Sequence, residues 1–314
     1  MTPIYFAPIQ GYTDDAYRRI HAEMVGGTEI YFSPFIRIEH NKMRNKDIRD
    51  IHPQYNKGIN LIPQILCNST KEFDLLVDTI AEMGYSRIDI NMGCPFTLQT
   101  RHGKGAGLLQ HPDTVEELMK AVSNRKDISF SVKMRLGQEC ADEGLAVLPI
   151  LNDAPLAHIT IHPRLGIQQY KGETDMESFR RFYESCKHPV VFNGDILSMD
   201  DIRRTEQEFP NLKAIMVGRG LLARPSLAAE YASGKEWTAE RRLSLIKGMH
   251  AKLLEHYSSV IPGEMQLLSK MRTFWEYMEP EIGRKQQKKI MKAGNMKNYM
   301  KEVGNVSINP ASSI

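Results

Sequence analysis

The sequence predicts an α/β protein, a TIM (β/α)8 barrel followed by a small C-terminal helical domain. Three observations lead there. Eight short apolar or alternating segments recur up to Val217, each but the second followed by a stretch of helical pattern. The polar residues of these segments gather at their C-terminal ends, the rim where a parallel barrel builds its site. After Arg224-Pro225 the strand pattern stops and only amphipathic helical stretches follow.

The 314 residues exceed a typical single domain and suit one barrel with an appendage. The boundary is placed near Pro225, with a catalytic barrel over 1–224 and a helical domain over 225–314. No stretch approaches the ~18 uninterrupted apolar residues of a membrane span. Met1 to Phe6 lacks a basic start and a long apolar run, so no signal peptide is read and a cytoplasmic protein is expected. Cys67, Cys94, Cys140 and Cys186 form no C-x-x-C pair and histidines do not cluster, which argues against zinc. No metal is expected, and free thiols fit a reducing compartment. A net charge of +3 is too small to announce a nucleic-acid partner. Its distribution says more.

In chain order, Ile4 to Ile9 reads as a buried first strand, with Thr13 or Asp14 capping the helix through Met24. Glu29 to Phe35 is the second, and Arg37 to Lys57 is irregular and rich in basic residues. Asn60 to Leu66 is the third strand. Arg87 to Asn91 alternates as a fourth, stopped by the Gly93-Cys94-Pro95 corner. Ser129 to Arg135, Ala157 to His162, Val190 to Asn193 and Ala214 to Val217 complete the count. Beyond Pro225, Arg241 to Tyr257 and Glu264 to Met278 read as helices. The tail from Arg284 to Lys301 holds seven Lys or Arg and no acid.

The strand ends carry Gln64, Asn91, Cys94, Lys133, His162, Asn193 with Asp195, and Gly218 with Arg219. Each has a bland alternative: Cys94 as a buried cysteine in a tight turn, Lys133 paired with a carboxylate, His162 half-buried against Pro163. Their joint placement favours one site. Asn193-Gly194-Asp195 and Gly218-Arg219-Gly220 follow strands seven and eight, where barrels commonly hold a phosphate on backbone N–H groups. Gly103 to Gly107 reads equally as a second anion loop or a tight helix lead-in. A phosphate anchor, an amide, a lysine and a thiol around one mouth point to a flavin, with Gln64 and Lys133 at its polar edge. Cys94, with an ordinary pKa of ~8.5, stays protonated at pH 7 and can act as a general acid toward the substrate.

Asn91-Met92-Gly93-Cys94-Pro95, Val132-Lys133-Met134-Arg135, His162-Pro163-Arg164, Tyr170-Lys171-Gly172, Asn193-Gly194-Asp195-Ile196 and Val217-Gly218-Arg219-Gly220 together resemble the tRNA-dihydrouridine synthases. Order and spacing agree from Ala7-Pro8 to Arg219, with a weaker match through Lys270-Met271-Arg272 and Trp275-Glu276-Tyr277. The resemblance implies an FMN-bearing barrel that reduces the C5–C6 bond of particular tRNA uridines with NADPH. By similarity, Pro8, Ile9, Gln10, Gln64, Lys133, His162, Asn193, Asp195, Gly218 and Arg219 hold FMN. Asn91 orients the uracil, and Cys94 protonates C5 while hydride reaches C6. Three places depart from the pattern: Pro8-Ile9-Gln10, Pro163-Arg164-Leu165, and Arg101-His102 where small residues are usual. Glu29 to Ile38 and the single-helix style of the tail look closest to the bacterial subgroup associated with uridine 16.

A uridine must leave its stack to reach a barrel mouth, and its backbone needs cationic support. Arg37 with the basic run to Lys57, Lys270, Arg272 and the tail are candidates for contact with tRNA; a solvated helix face is the competing reading of each run. Trp275 is expected in the core, and a monomer is expected. Three rivals remain: a flavin barrel acting on a free pyrimidine, like dihydroorotate dehydrogenase; an RNA-binding barrel without chemistry; and a flavin-free lyase or isomerase. The first needs no basic accessory domain, the second would show decay at Cys94 or Lys133, and the third would be colourless.

Overall fold

Two identical tripeptides open the barrel: β1 (Ile4–Phe6) and β2 (Ile30–Phe32) both read Ile-Tyr-Phe, and every residue of each is buried. β-branched and aromatic side chains on both faces suit strands enclosed by a packed interior and a helical layer. The structure, a computed structural model, describes residues 1–309. The remaining barrel strands are β3 (Leu61–Ile62 and Gln64–Ile65), β4 (Arg87–Met92), β5 (Ser129–Gly137), β6 (Leu156–Leu165), β7 (Val190–Phe192) and β8 (Ala214–Val217). All neighbours pair in parallel, and β8 pairs with β1.

Pro63 divides β3. Leu61–Ile62 pairs with β2, while Gln64–Ile65 pairs with β4, so two halves of one strand close the barrel. Proline has no N–H to give, but its carbonyl still accepts from the Asp89 N–H at 2.9 Å.

Alternation fixes what each face does. On β4 to β6, Ile90, Val132 and Ile161 pack into the main core against the helices. Their neighbours Asp89, Ser131, Lys133 and His162 belong to the inward-facing set, which makes that half of the barrel interior polar. The other half is filled by a separate apolar cluster that includes Tyr5, Phe32, Ile62, Val191 and Met216.

The segment after β2 corrects the sequence reading. In place of an irregular stretch it forms a short hairpin, Ile38–Glu39 with Lys42–Met43, and a helix over Asn45–Ile51. That helix buries only Asp47 and Ile51, so its apolar period is almost invisible in a charged run. It is held by Arg44 against Asp47 at 2.7 Å and by the buried Arg18 on Asp50 at 3.1 Å.

Among the described residues only helices follow β8, the longest being Ala239–Val260 and Glu264–Trp275. The basic tail is two helices, Arg284–Lys292 and Met296–Gly304, the second capped by Asn295. Trp275 is fully buried and donates its indole N–H to Tyr299 Oη at 2.9 Å. Asp14, which caps helix Asp15–Met24, accepts from Tyr257 Oη at 2.7 Å and pairs with Lys270 at 2.8 Å. That fastens the loop after β1 to the C-terminal helices.

Glu230 secures the turn out of the barrel. It is fully buried, and it accepts from Arg224 Nε at 3.0 Å, the Trp237 N–H at 2.8 Å and the Ser226 hydroxyl. Burial pushes its carboxyl up, but these donors and the Arg224 charge outweigh it and hold the pKa below the usual value of 4.5. The stabilisation is therefore present above that value and lost as pH falls through the lowered one. Glu230→Ala is expected to cost about 3–5 kcal/mol in urea unfolding at pH 7. The gap from wild type should shrink on acidification below 4.5; equal urea midpoints at pH 7 would contradict the assignment.

Candidate active site

Cys94 sits two residues beyond β4 in a corner held by one side chain. The Asn91 carboxamide oxygen accepts the N–H groups of Gly93 at 3.0 Å and Cys94 at 2.8 Å. Its nitrogen donates to Gln64 Oε1 at 2.7 Å, Gln64 Nε2 donates to Asp89 at 2.7 Å, and the Ser131 hydroxyl donates to the other Asp89 oxygen at 2.5 Å. A buried relay thus joins β3, β4 and β5 to the thiol corner. The glycine loop braces this corner from outside: the Ala106 N–H donates to the Cys94 carbonyl at 3.0 Å, and the segment Gly105–Gln110 is a 3-10 helix. The lead-in reading of Gly103 to Gly107 is the one the backbone adopts.

Two adjoining hollows form one cleft across the mouth and share Pro8, Ile9, Lys133, His162 and Tyr170. One end adds Asn193, Asp195, Gly218 and Arg219; the other adds Gln10, Gln64, Asn91, Cys94 and Arg135. The cleft is cationic. Burial and the neighbouring Arg135 push Lys133 down to about 8, against the opposing pull of Asp89 and Cys94. Arg135 is itself pushed down to about 10, chiefly by burial. His162 lies well below its ordinary value, from burial first and then from Arg135, Lys133, Arg164 and Arg219, so it is neutral at pH 7. Arg164 Nη1 stands 3.2 Å from His162 Nε2, a contact that places the ring proton on Nδ1. Burial raises the Cys94 thiol above its ordinary value, only partly offset by the Phe96 backbone and Arg135. It is a thiol, not a thiolate, at neutral pH.

A family model described as dihydrouridine synthase matches residues 5–307. The chain belongs to the dihydrouridine synthase family. It is 32% identical over 241 residues to a tRNA-dihydrouridine(16) synthase of Pseudomonas syringae pv. tomato, covering 74% of this chain and 75% of that one. It is 30% identical over 229 residues to tRNA-dihydrouridine synthase B of Pasteurella multocida, covering 71% of this chain and 67% of that one. Among solved structures, morphinone reductase superposes with a TM-score of 0.53 at 13% identity, over 74% of this chain and 86% of its own. At that identity the likeness is one of barrel fold.

In this member of the family the cleft gathers every strand-end residue singled out in the sequence, from Pro8 to Arg219. It does not gather the three outlying cations. Arg37 donates to Glu39 at 2.9 Å, Arg272 donates to the Ala293 carbonyl, and Lys270 is spent on Asp14 and on the Gly11 carbonyl at 3.0 Å. Lys270 lines a separate groove that meets the cleft at Gln10 and Pro34. Arg135, Arg164 and Tyr170 stand in the sequence motifs but are assigned no site role there. Arg164, almost fully buried, grips Asp195 and donates to the Gly172 carbonyl at 2.7 Å. Arg219 also binds Asp195, at 2.7 Å. The signal was available: Arg135 and Arg164 stand two residues beyond Lys133 and His162, so they share the inward face.

Gly105 has φ +60°, and a Cβ there would lie 2.5 Å from the Cys94 carbonyl oxygen. Gly105→Ala is expected to lower stability by about 2 kcal/mol or more, from backbone conformation and contact together. Urea unfolding reads this; a midpoint equal to wild type would show that the brace is not needed.

Proposed function

We propose that the protein reduces the C5–C6 bond of a tRNA uridine to dihydrouridine, with FMN as resident cofactor and NADPH as reductant. The observation that carries this is the continuity of the cleft. An anion-accepting end at Asn193, Gly218 and Arg219 runs without interruption, past Lys133 and His162, to a buried protonated thiol.

The residues present fit FMN. The Lys133 side chain, half-buried, makes no hydrogen bond or ion pair among the described residues, and Gln10 Oε1 is buried without a partner. At Gly218 a Cβ would press on the Ala7 and Ile9 side chains at 3.3 Å, and glycine leaves the backbone there open to a phosphate. Gly218, Arg219 and Asn193 would take the phosphate end, Pro8, Ile9 and Gln10 the flank, and Gln64, Lys133 and His162 the polar edge of the ring. Asp195 is anionic and clasped by Arg164 and Arg219, so its part is to hold those guanidinium groups and to offer backbone, at φ +39°. Bound and reduced, FMN would supply the hydride that uracil C6 receives.

The chain's own residues do the rest. Cys94 holds the proton that C5 needs, and its burial keeps that proton in place at neutral pH. Asn91 fixes the thiol through two backbone N–H groups and has one amide hydrogen left for the uracil. Lys133, mostly protonated at pH 7, brings positive charge to the middle of the cleft. His162 presents a neutral ring with its proton on Nδ1. The relatives are named for tRNA, and all seven basic side chains between Arg284 and Lys301 are exposed, which supports a polyanionic substrate. Uridine 16 is the position we assign, on the likeness to the Pseudomonas syringae relative. The organisation proposed is a catalytic barrel over 1–224 and a substrate-binding helical domain over 225–314.

Cys94→Ala is expected to lower dihydrouridine formation about 10²–10⁴-fold while flavin absorbance is retained. Loss of flavin from this variant, or undiminished product, would contradict the acid role. With pre-reduced enzyme, the falling limb that belongs to Cys94 should lie above the ordinary thiol range, apart from any change near 8 set by Lys133. An acid loses its function as pH rises through its pKa, so a profile whose single falling limb lies at or below neutrality would exclude Cys94 as the group.

A further inference from the structure

Of the eleven large apolar side chains exposed among the described residues, five stand on three loops at the barrel mouth. Phe96 and Leu98 follow β4, Ile167 and Tyr170 follow β6, and Leu197 follows β7. Phe96 is 57% exposed, Leu98 67% and Tyr170 50%. These loops are well held. Phe96 leads into the short helix Thr97–Thr100, whose Gln99 is buried, and the Thr100 backbone lies so close to Gly107 that only glycine fits there. Tyr170 carries the guanidinium groups of Arg219 and Arg135 at 4.9 and 5.5 Å from its ring centre.

Two further facts bear on what covers this collar. Phe96 and Tyr170 both line the Cys94 end of the cleft, so the apolar lips are continuous with it. Each of their loops also carries an exposed cation, Arg101 and Lys171, neither in an ion pair among the described residues. Aromatic and apolar side chains interleaved with free cations make a surface for single-stranded nucleic acid, on which bases stack while phosphates are neutralised.

We propose that Phe96, Leu98 and Tyr170 form a stacking platform on the two lips of the cleft for the nucleobases that flank the uridine being reduced. A base drawn from its stack leaves its neighbours with bare faces, and the platform covers them. The inference rests on the RNA-reducing function proposed above and assigns it residues that contact substrate outside the cleft.

The test uses flavin-loaded, oxidised enzyme, so that binding is read without turnover. Wild type first identifies the uridine it reduces in unmodified tRNA, and transcripts are then made with 2-aminopurine on either side. Binding to wild type should quench that fluorescence. Phe96→Ala with Leu98→Ala should abolish the quench and weaken affinity about 5- to 100-fold, while Phe96→Tyr keeps both. Thermal stability should not change, because both side chains are exposed. If wild type reduces tRNA but the double variant binds and quenches as it does, the platform is wrong and the function stands. A rise in KM for NADPH with unchanged tRNA binding would give the surface to the nicotinamide instead. Loss of a concentration-dependent dimer, with tRNA binding intact, would make it a self-interface. Wild type that reduces no tRNA would overturn the function and the platform together.

Discussion

The Asn91 carboxamide is the joint on which the site turns. Its oxygen takes two backbone N–H groups that would otherwise be buried unpaired in the Gly93-Cys94 corner, and its nitrogen hands the connection to Gln64, Asp89 and Ser131. Leaving one buried polar group unsatisfied costs about 1–3 kcal/mol, so such a relay is rigid once complete. The thiol is positioned by the barrel interior itself. A loop resting on the rim would not hold it as firmly.

Around this joint the protein holds more positive charge than it neutralises. Lys133, Arg135, Arg164 and Arg219 converge on the cleft, facing Asp195 and the buried Asp89, whose carboxyl burial lifts to about 6. His162 stays neutral in this company because burial and four cations both oppose its protonation. Such a cleft favours an anion that enters it and disfavours thiolate only as far as burial outweighs the cations. For Cys94 burial wins, and the residue stays a protonated thiol. Cys67 is also buried and raised, to about 12, but it lies away from the cleft and contributes packing.

Much of this was legible in the sequence, for identifiable reasons. Alternation on β4, β5 and β6 is clean because one face meets the helices and the other a polar interior, and there the strand-end residues emerged directly. The glycines and Asn-Gly-Asp corner after β7 and β8 were legible because close backbone approach admits few residue types. Where the signal failed, the cause was local. Helix Asn45–Ile51 buries two of its seven residues and leaves no apolar stripe to read. Arg135 and Arg164 stand in the sequence motifs without an assigned role: alternation puts them on the inward face, but a linear sequence does not show the carbonyl and carboxylate partners that bury them. Arg37, Lys270 and Arg272 show the converse: their charge drew attention, and structure spends it on Glu39, Asp14 and the Ala293 carbonyl. The single helix read in the tail divides at Gly294-Asn295, where Asn295 caps a new one.

The proposed function requires one cleft to couple a flavin to a tRNA uridine. The most direct measurement is anaerobic: purified protein is reduced with NADPH, freed of excess reductant, and mixed with unmodified tRNA while its visible absorbance is followed. Oxidised-flavin absorbance is expected to return at the rate at which dihydrouridine appears, one flavin for each uridine reduced. A bound flavin that tRNA leaves reduced, or a protein that carries no flavin at all, would contradict it.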